Sequence, residues 1–202
     1  MRPASTVTVA EARRASIMTA GGRLFSEHGV AGTSVRQIAD AVGLVPSSLY
    51  HHFPSKESIA SELILRFVNE LNDEYTRLRG SVLSGRDQLH ELITVSLRVA
   101  AEHPFATETY VRELPNLSIL PDHEAIAAVV RRNEVLWSEK THQGIEDGAF
   151  RADIDVDTMN RTLSEMVWLT VRWNRADLAA RQEELARELF VLITEGYRVR
   201  PT

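Results

Sequence analysis

Between Pro46 and Phe53 the chain reads ProSerSerLeuTyrHisHisPhe, gathering two hydroxyls, two imidazoles and a phenol in one short stretch. Ser47, Ser48, His51 and His52, with the Tyr50 hydroxyl at one edge, can bond to base edges or phosphate oxygens, while their methylenes and rings suit thymine methyls. Trp168 and Arg172 stand four residues apart, so on a helix the guanidinium can lie beside the indole or clamp an anionic group of a ligand. A surface or intersubunit salt bridge is the alternative role for Arg172. His103, Glu108 and His123 have ligand chemistry, but their spacing matches no known metal site, and solvated or core histidines are expected. The chain has no cysteine, which removes disulfides, thiolate metal sites and cysteine nucleophiles together. It has no nucleophile elbow and no phosphate-binding glycine loop, so neither an enzyme nor a bound cofactor is expected.

Such side chains act only if helices position them. Nearly every segment repeats its apolar residues with helical spacing, so an all-α fold is expected. Ile17, Leu24 and Phe25, with Ala20 and Gly21 between them, form the inward stripe of a first helix that closes before Gly29. Thr33 or Ser34 caps a second helix, and Ser34 with Gln37 has capping-box spacing. Gly43 ends that helix, and Pro46 opens a third that reaches Phe53. Ser55 caps a long helix from Lys56 that carries Ile59, Leu63, Phe67 and Leu71. Further helices are expected from about Arg86 to Glu102, Pro104 to Leu114, His123 to Glu146, Val156 to Trp173 and Leu178 to Gly196. Two short helices joined by a tight glycine turn match the helix-turn-helix, whose second helix enters the major groove. The division expected is a DNA-binding domain at residues 1–55 and a larger helical domain at 56–202.

Overall the chain is acidic, with 23 Lys and Arg against 28 Asp and Glu. The first 56 residues reverse that balance: Arg2, Arg13, Arg14, Arg23, Arg36 and Lys56 outnumber Glu11, Glu27 and Asp40. A basic head on an acidic body suits a protein that meets phosphates at one end only. No apolar run is long enough to span a bilayer and the opening residues do not resemble a signal peptide, so no membrane contact and a cytoplasmic location are expected.

The run from Ile17 to Lys56 resembles the TetR family of bacterial repressors. The resemblance is carried above all by ThrSerValArgGlnIleAla at 33–39, Gly43, SerLeuTyrHisHisPhe at 48–53 and SerLys at 55–56. It implies a homodimer on a palindromic double-stranded operator, released when a small-molecule effector binds the body. It also implies phosphate contacts from Thr33 or Ser34, from Tyr50 and His51, and from Lys56. With Arg36, Pro46, Ser47, Ser48 and His52 these make up the candidate DNA-facing set. A lysine at a helix start runs against the helix dipole, and a phosphate partner would resolve the conflict. Two departures stand out: Val45 occupies the cap position usually held by Ser or Thr, and Gly21-Gly22 falls inside the first helix, suggesting a flexible head.

In the body, residues 143–157 and TrpLeuThrValArgTrp at 168–173 are similar to actinobacterial repressors of lipid and steroid catabolism whose effectors are acyl-coenzyme A thioesters. Arg-rich, Lys-poor usage fits such a genome. Closer cholesterol-catabolism members carry an arginine one turn before the first tryptophan, where this chain has Ser164. Phe67, Leu71, Tyr75, Phe105, Tyr110, Trp137 and Phe150 join Trp168 and Arg172 as candidate ligand residues, with ordinary core packing as the alternative. Leu163, Val167 and Val171, then Leu185, Leu189, Leu192 and Ile193, form stripes that fit a four-helix interface between two subunits or packing within one chain. A constitutive DNA-binding regulator and a regulator of efflux or drug response are the competing functions.

Overall fold

The computed structural model describes residues 9–80 and 83–195, and every regular element among them is a helix. The order is α1 (Val9–Gly32), α2 (Val35–Ala41), α3 (Pro46–Tyr50), α4 (Lys56–Arg77), α5 (Gly85–Glu102), α6 (Pro104–Glu113), α7 (His123–Glu146), α8 (Val156–Trp173) and α9 (Leu178–Glu195). Short 3-10 turns follow α4 at Leu78–Gly80 and α6 at Leu114–Ile119. The expected end of the last helix, Gly196, lies outside the described residues.

Two compact units result, and the first joins residues 9–66 to Phe105–Ile126. Its core is Ile17 and Phe25 of α1, Ile38 of α2, Leu49 and Phe53 around α3, and Ile59 and Ile64 of α4, each at most 1% exposed. Burying a side chain of that size contributes roughly 1.5–3 kcal/mol. Gly29 and Gly43 adopt φ of 74° and 67°, a left-handed backbone that glycine takes without strain. The first breaks α1 where the stripe was expected to close, and the second ends α2. Ser34 is the cap of α2, accepting from Gln37 N at 3.2 Å while its own N–H donates to Gln37 Oε1 at 2.8 Å. Ser55 accepts from Ser58 N at 3.1 Å at the start of α4.

Two features differ from expectation. α3 stops at Tyr50 rather than Phe53, because His52 N turns back to the Leu49 carbonyl at 2.9 Å and Pro54 disfavours helix at the residue before it. Gly21 and Gly22 mark close packing rather than a loose head. A Cβ on Gly21 would lie 3.0 Å from Ile59 Cγ2, and one on Gly22 would lie 2.9 Å from Leu63 Cδ2.

The second unit comprises Phe67–Pro104 and residues 127–195. α5 is its central helix, buried at Leu89, Leu92, Ile93, Leu97 and Val99, and it packs along α9. His90 and Phe190 meet edge to face with centroids 4.8 Å apart, and the Arg86 guanidinium lies over the same phenylalanine. Ser84 and Asp155 cap α5 and α8 through Asp87 N and Thr158 N. Where α5 begins, Gly85 and Gly144 of α7 have no room for side chains, and Phe150 covers Gly144.

Candidate nucleic-acid interface and effector residues

Sidedness governs the first unit. Leu49 and Phe53 anchor α3 from within, leaving Ser47, Tyr50 and His51 exposed and Pro46, Ser48 and His52 half-buried. Val45 is 60% exposed beside them, an apolar side chain of the kind that suits a thymine methyl, which residue type alone did not bring forward. Arg36 is exposed on α2 and pairs with Asp40 at 3.8 Å. Of the two residues that could cap α2, only Ser34 faces outward. Thr33 is 2% exposed and its hydroxyl donates to the Gly29 carbonyl at 2.8 Å, so it fastens the bend in α1.

A hollow of about 410 Å³ opens between the end of α1, the start of α2 and the turn into α4, lined in part by Thr33, Ser34, Tyr50, Ser55 and Lys56. Lys56 supplies its positive charge in an unexpected way. Its ammonium donates to the carbonyls of Thr33 at 2.7 Å and Ala31 at 3.1 Å, where α1 ends. A cation beside the negative end of one helix is favourable, and this offsets its poor placement at the start of another. The conflict read from the sequence is therefore resolved within the chain, and the charge remains at the hollow.

Several positioning residues carry no local sequence signal. Arg14 of α1 lies over the Phe53 ring at 3.9 Å and donates to the His52 carbonyl and the Glu62 carboxylate, tying α1, the end of α3 and α4 together. Burial raises the Glu62 pKa, but hydrogen bonds and charge from Arg14 and Arg66 outweigh it and hold the carboxyl below its ordinary value. Where α1 bends, the buried Val30 N–H donates to Glu113 Oε1 at 3.0 Å, and Arg112 donates to the Ser26 carbonyl at 3.1 Å. Ser61 donates to Asp122 Oδ2 at 2.8 Å. The partners lie 38 to 86 residues apart, beyond the reach of any helical period.

The second unit collects most of the candidate ligand residues. Phe67, Leu71, Tyr75 and Trp137 are buried and Trp168 is half-buried. Phe67 meets Trp168, and Tyr75 meets Trp137, both edge-on with centroids 6.1 Å apart. The Tyr75 hydroxyl lies 2.6 Å from Ser96 Oγ, and burial pushes its pKa up to about 12. Phe150 is half-buried over Gly144, and Arg172 is exposed with no ion pair or ring contact among the described residues. Phe105 and Tyr110 belong to the first unit.

The subunit-interface stripes need correction. Leu163, Val167, Val171, Leu185 and Leu189 are at most 6% exposed in a single chain, so they form its own core and have no surface to offer a partner. The apolar side chains left open along α8 and α9 are Trp173, 73% exposed, and Val191, 42% exposed, with Leu192 and Ile193 half-buried.

Known proteins align with both ends of this arrangement. Residues 17–63 match the family described as "Bacterial regulatory proteins, tetR family", and residues 82–197 match "Tetracyclin repressor-like, C-terminal domain". The chain is 31% identical over 194 residues to the HTH-type transcriptional repressor KstR2 of Rhodococcus jostii, covering 96% of this chain and 95% of that protein. Among solved structures, the ketosteroid transcriptional regulator KstR2 of Mycobacterium tuberculosis is 29% identical with a TM-score of 0.84, over 98% of this chain and all of that one. PfmR of Thermus thermophilus, a TetR-family transcriptional regulator, is 30% identical with a TM-score of 0.78, over 91% and 99%.

Proposed function

The chain belongs to the TetR family of bacterial regulatory proteins, and from that premise we propose that it is a homodimeric repressor released from a palindromic operator by a lipid or steroid acyl-coenzyme A thioester. It is a transcriptional regulator, not an enzyme. No helix among the described residues is long and apolar enough to cross a membrane; the site of action is chromosomal DNA in the cytoplasm. The observation that carries the reading is the end-to-end similarity to repressors named for ketosteroid regulation, which extends through the second unit as well as the first.

In functional terms residues 1–55, with Lys56 at the boundary, bind DNA, and residues 56–202 take the effector and the second subunit. Ser34, Tyr50, His51 and Lys56 meet phosphates, and Ser47, Ser48 and Val45 face bases. Phe67, Leu71, Tyr75, Trp137 and Trp168 line the effector site. α4 spans both functions as one helix from Lys56 to Arg77, so an effector pressed against its later turns shifts its first turn and changes the spacing of the two reading helices.

The test is operator binding by fluorescence anisotropy, with a duplex from upstream of the protein's own gene, titrated with steroid and fatty acyl-coenzyme A thioesters. Release by one or more of the thioesters is expected. Reciprocity requires that whatever factor a thioester takes from operator affinity, the operator takes from thioester affinity. Tight binding that no thioester alters would instead mark a constitutive binder, and release by cationic drugs alone would mark an efflux regulator.

A further inference from the structure

The inward stripe of α7 carries a charge at its centre. Val129, Asn133, Trp137, Lys140, Thr141 and Gly144 recur with helical spacing and are all buried. The uncharged polar members are satisfied. Asn133 accepts from Asn72 Nδ2 at 2.8 Å and donates to the Val68 carbonyl at 3.3 Å, and Thr141 donates to Asn160 Oδ1 at 2.6 Å. Lys140 is only 7% exposed, yet it makes no hydrogen bond and no ion pair with any described residue. The acid beside it, Glu139, is exposed and held by Arg79 at 2.6 and 3.1 Å, and it acts on Lys140 through charge at a distance without a hydrogen bond.

A lysine buried along its stem brings its ammonium either to water or to a counter-ion, and an ammonium with no hydrogen-bond acceptor in the chain is open to an anion from outside it. Its Nζ is not sealed off, since the sealed and partnerless side-chain atoms among the described residues are Gln88 Oε1 and Gln182 Oε1. Gln88 lies near. Its Nε2 donates to the Leu83 carbonyl at 2.6 Å and stands 3.5 Å from Gln143 Oε1, and Gln143 is one turn from Lys140 on α7. This part of the second unit thus holds a cation without an acceptor and an amide oxygen without a donor.

We propose that Lys140 is the anion-holding residue of a ligand site within the second unit, taking a carboxylate or phosphate of an amphipathic molecule at its unsealed ammonium. The inference rests on the reading of the chain as effector-responsive and names the chemistry of that effector. It assigns the charge contact to Lys140 inside the unit rather than to Arg172, which is exposed on α8.

The experiment compares wild type, Lys140→Met and Lys140→Arg for binding of lauroyl-coenzyme A, laurate, coenzyme A and methyl laurate. Calorimetric affinity, melting temperature and operator release are each measured. Lys140→Met is expected to weaken the anionic probes about tenfold or more and to leave methyl laurate unchanged, with Lys140→Arg restoring most of the loss. Unliganded Lys140→Met is expected to melt no lower than wild type, since it removes an unpaired charge. Dependence on Lys140 for laurate but not coenzyme A identifies the anion as a carboxylate, and the reverse identifies a phosphate. Equal affinities in wild type and Lys140→Met, equal losses for charged and neutral probes, or no anionic probe bound by wild type would each overturn the proposal. Lys140-dependent binding that leaves the operator bound would uphold the site and overturn the effector-released repressor. Operator release unaffected by Lys140→Met would do the opposite.

Discussion

The Lys56 ammonium donates to two carbonyls at the end of α1, so its removal acts on stability as well as on DNA. Lys56→Ala leaves those carbonyls to water and removes one positive charge from the hollow. The expected outcome is a melting temperature lowered by an amount equivalent to about 1–2 kcal/mol, together with a salt dependence of operator binding reduced by about one charge and no preference for one base pair. Salt titrations of binding on several operator variants check this, and a loss confined to one variant would contradict it. Glu62 makes a second, pH-dependent contribution. Its carboxyl pKa is held below 4.5 in the folded chain, so its stabilisation is full above the ordinary value and disappears as pH falls through the lowered one. Glu62→Gln should therefore be less stable than wild type near neutrality and should lose less stability on acidification below about pH 4.5, as measured by urea unfolding across that range.

At the scale of elements, the paired glycines of α1 set how closely α4 approaches within the first unit. Gly22→Ala gains about 1 kcal/mol of helix propensity but places its Cβ 2.9 Å from Leu63 Cδ2 and 3.3 Å from Phe105 Cβ, and overpacking of that kind costs about 1–3 kcal/mol. Net destabilisation is expected. Gly32→Ala meets nothing closer than His28 Cβ at 3.6 Å and should be neutral or stabilising. Thermal denaturation of the two variants distinguishes steric demand from flexibility as the reason for the pair. The same contrast explains what could be read from the sequence. The ends of α7 and α8, the Ser34–Gln37 box and the turn at Gly43 follow from residues within one helical turn of each other, and local pattern revealed them. The end of α3 at Tyr50 depends on how Pro54 constrains Phe53 and on a tightened last turn, which an apolar stripe running to Phe53 conceals. Thr33 is turned inward by the bend at Gly29, so its hydroxyl is lost to the DNA-facing set although its residue type suits that role. Arg14 and Glu113 find partners dozens of residues away, and the α8 and α9 stripes read equally well as core or interface until burial in a single chain separates them.

For the molecule as a whole, the open question of assembly falls on a few side chains. Trp173 is exposed at the end of α8, whereas Leu189 is already covered by its own chain. Trp173→Lys is expected to weaken dimerisation about tenfold or more with little change in melting temperature at concentrations where the monomer dominates, and Leu189→Ala to lower stability by about 2–5 kcal/mol. Sedimentation across a concentration series separates the two, and an unchanged dimer in Trp173→Lys would move the interface elsewhere. The placement of the lysines has a chemical consequence of its own. The chain contains two, and one is held by carbonyls with its side chain 19% exposed while the other is buried at 7%. Leaving aside the α-amino group, amine-directed acylating and cross-linking reagents therefore meet only one ammonium engaged by carbonyls and one on a buried stem, so lysine labelling is expected to be slow on the folded protein and to quicken as it unfolds.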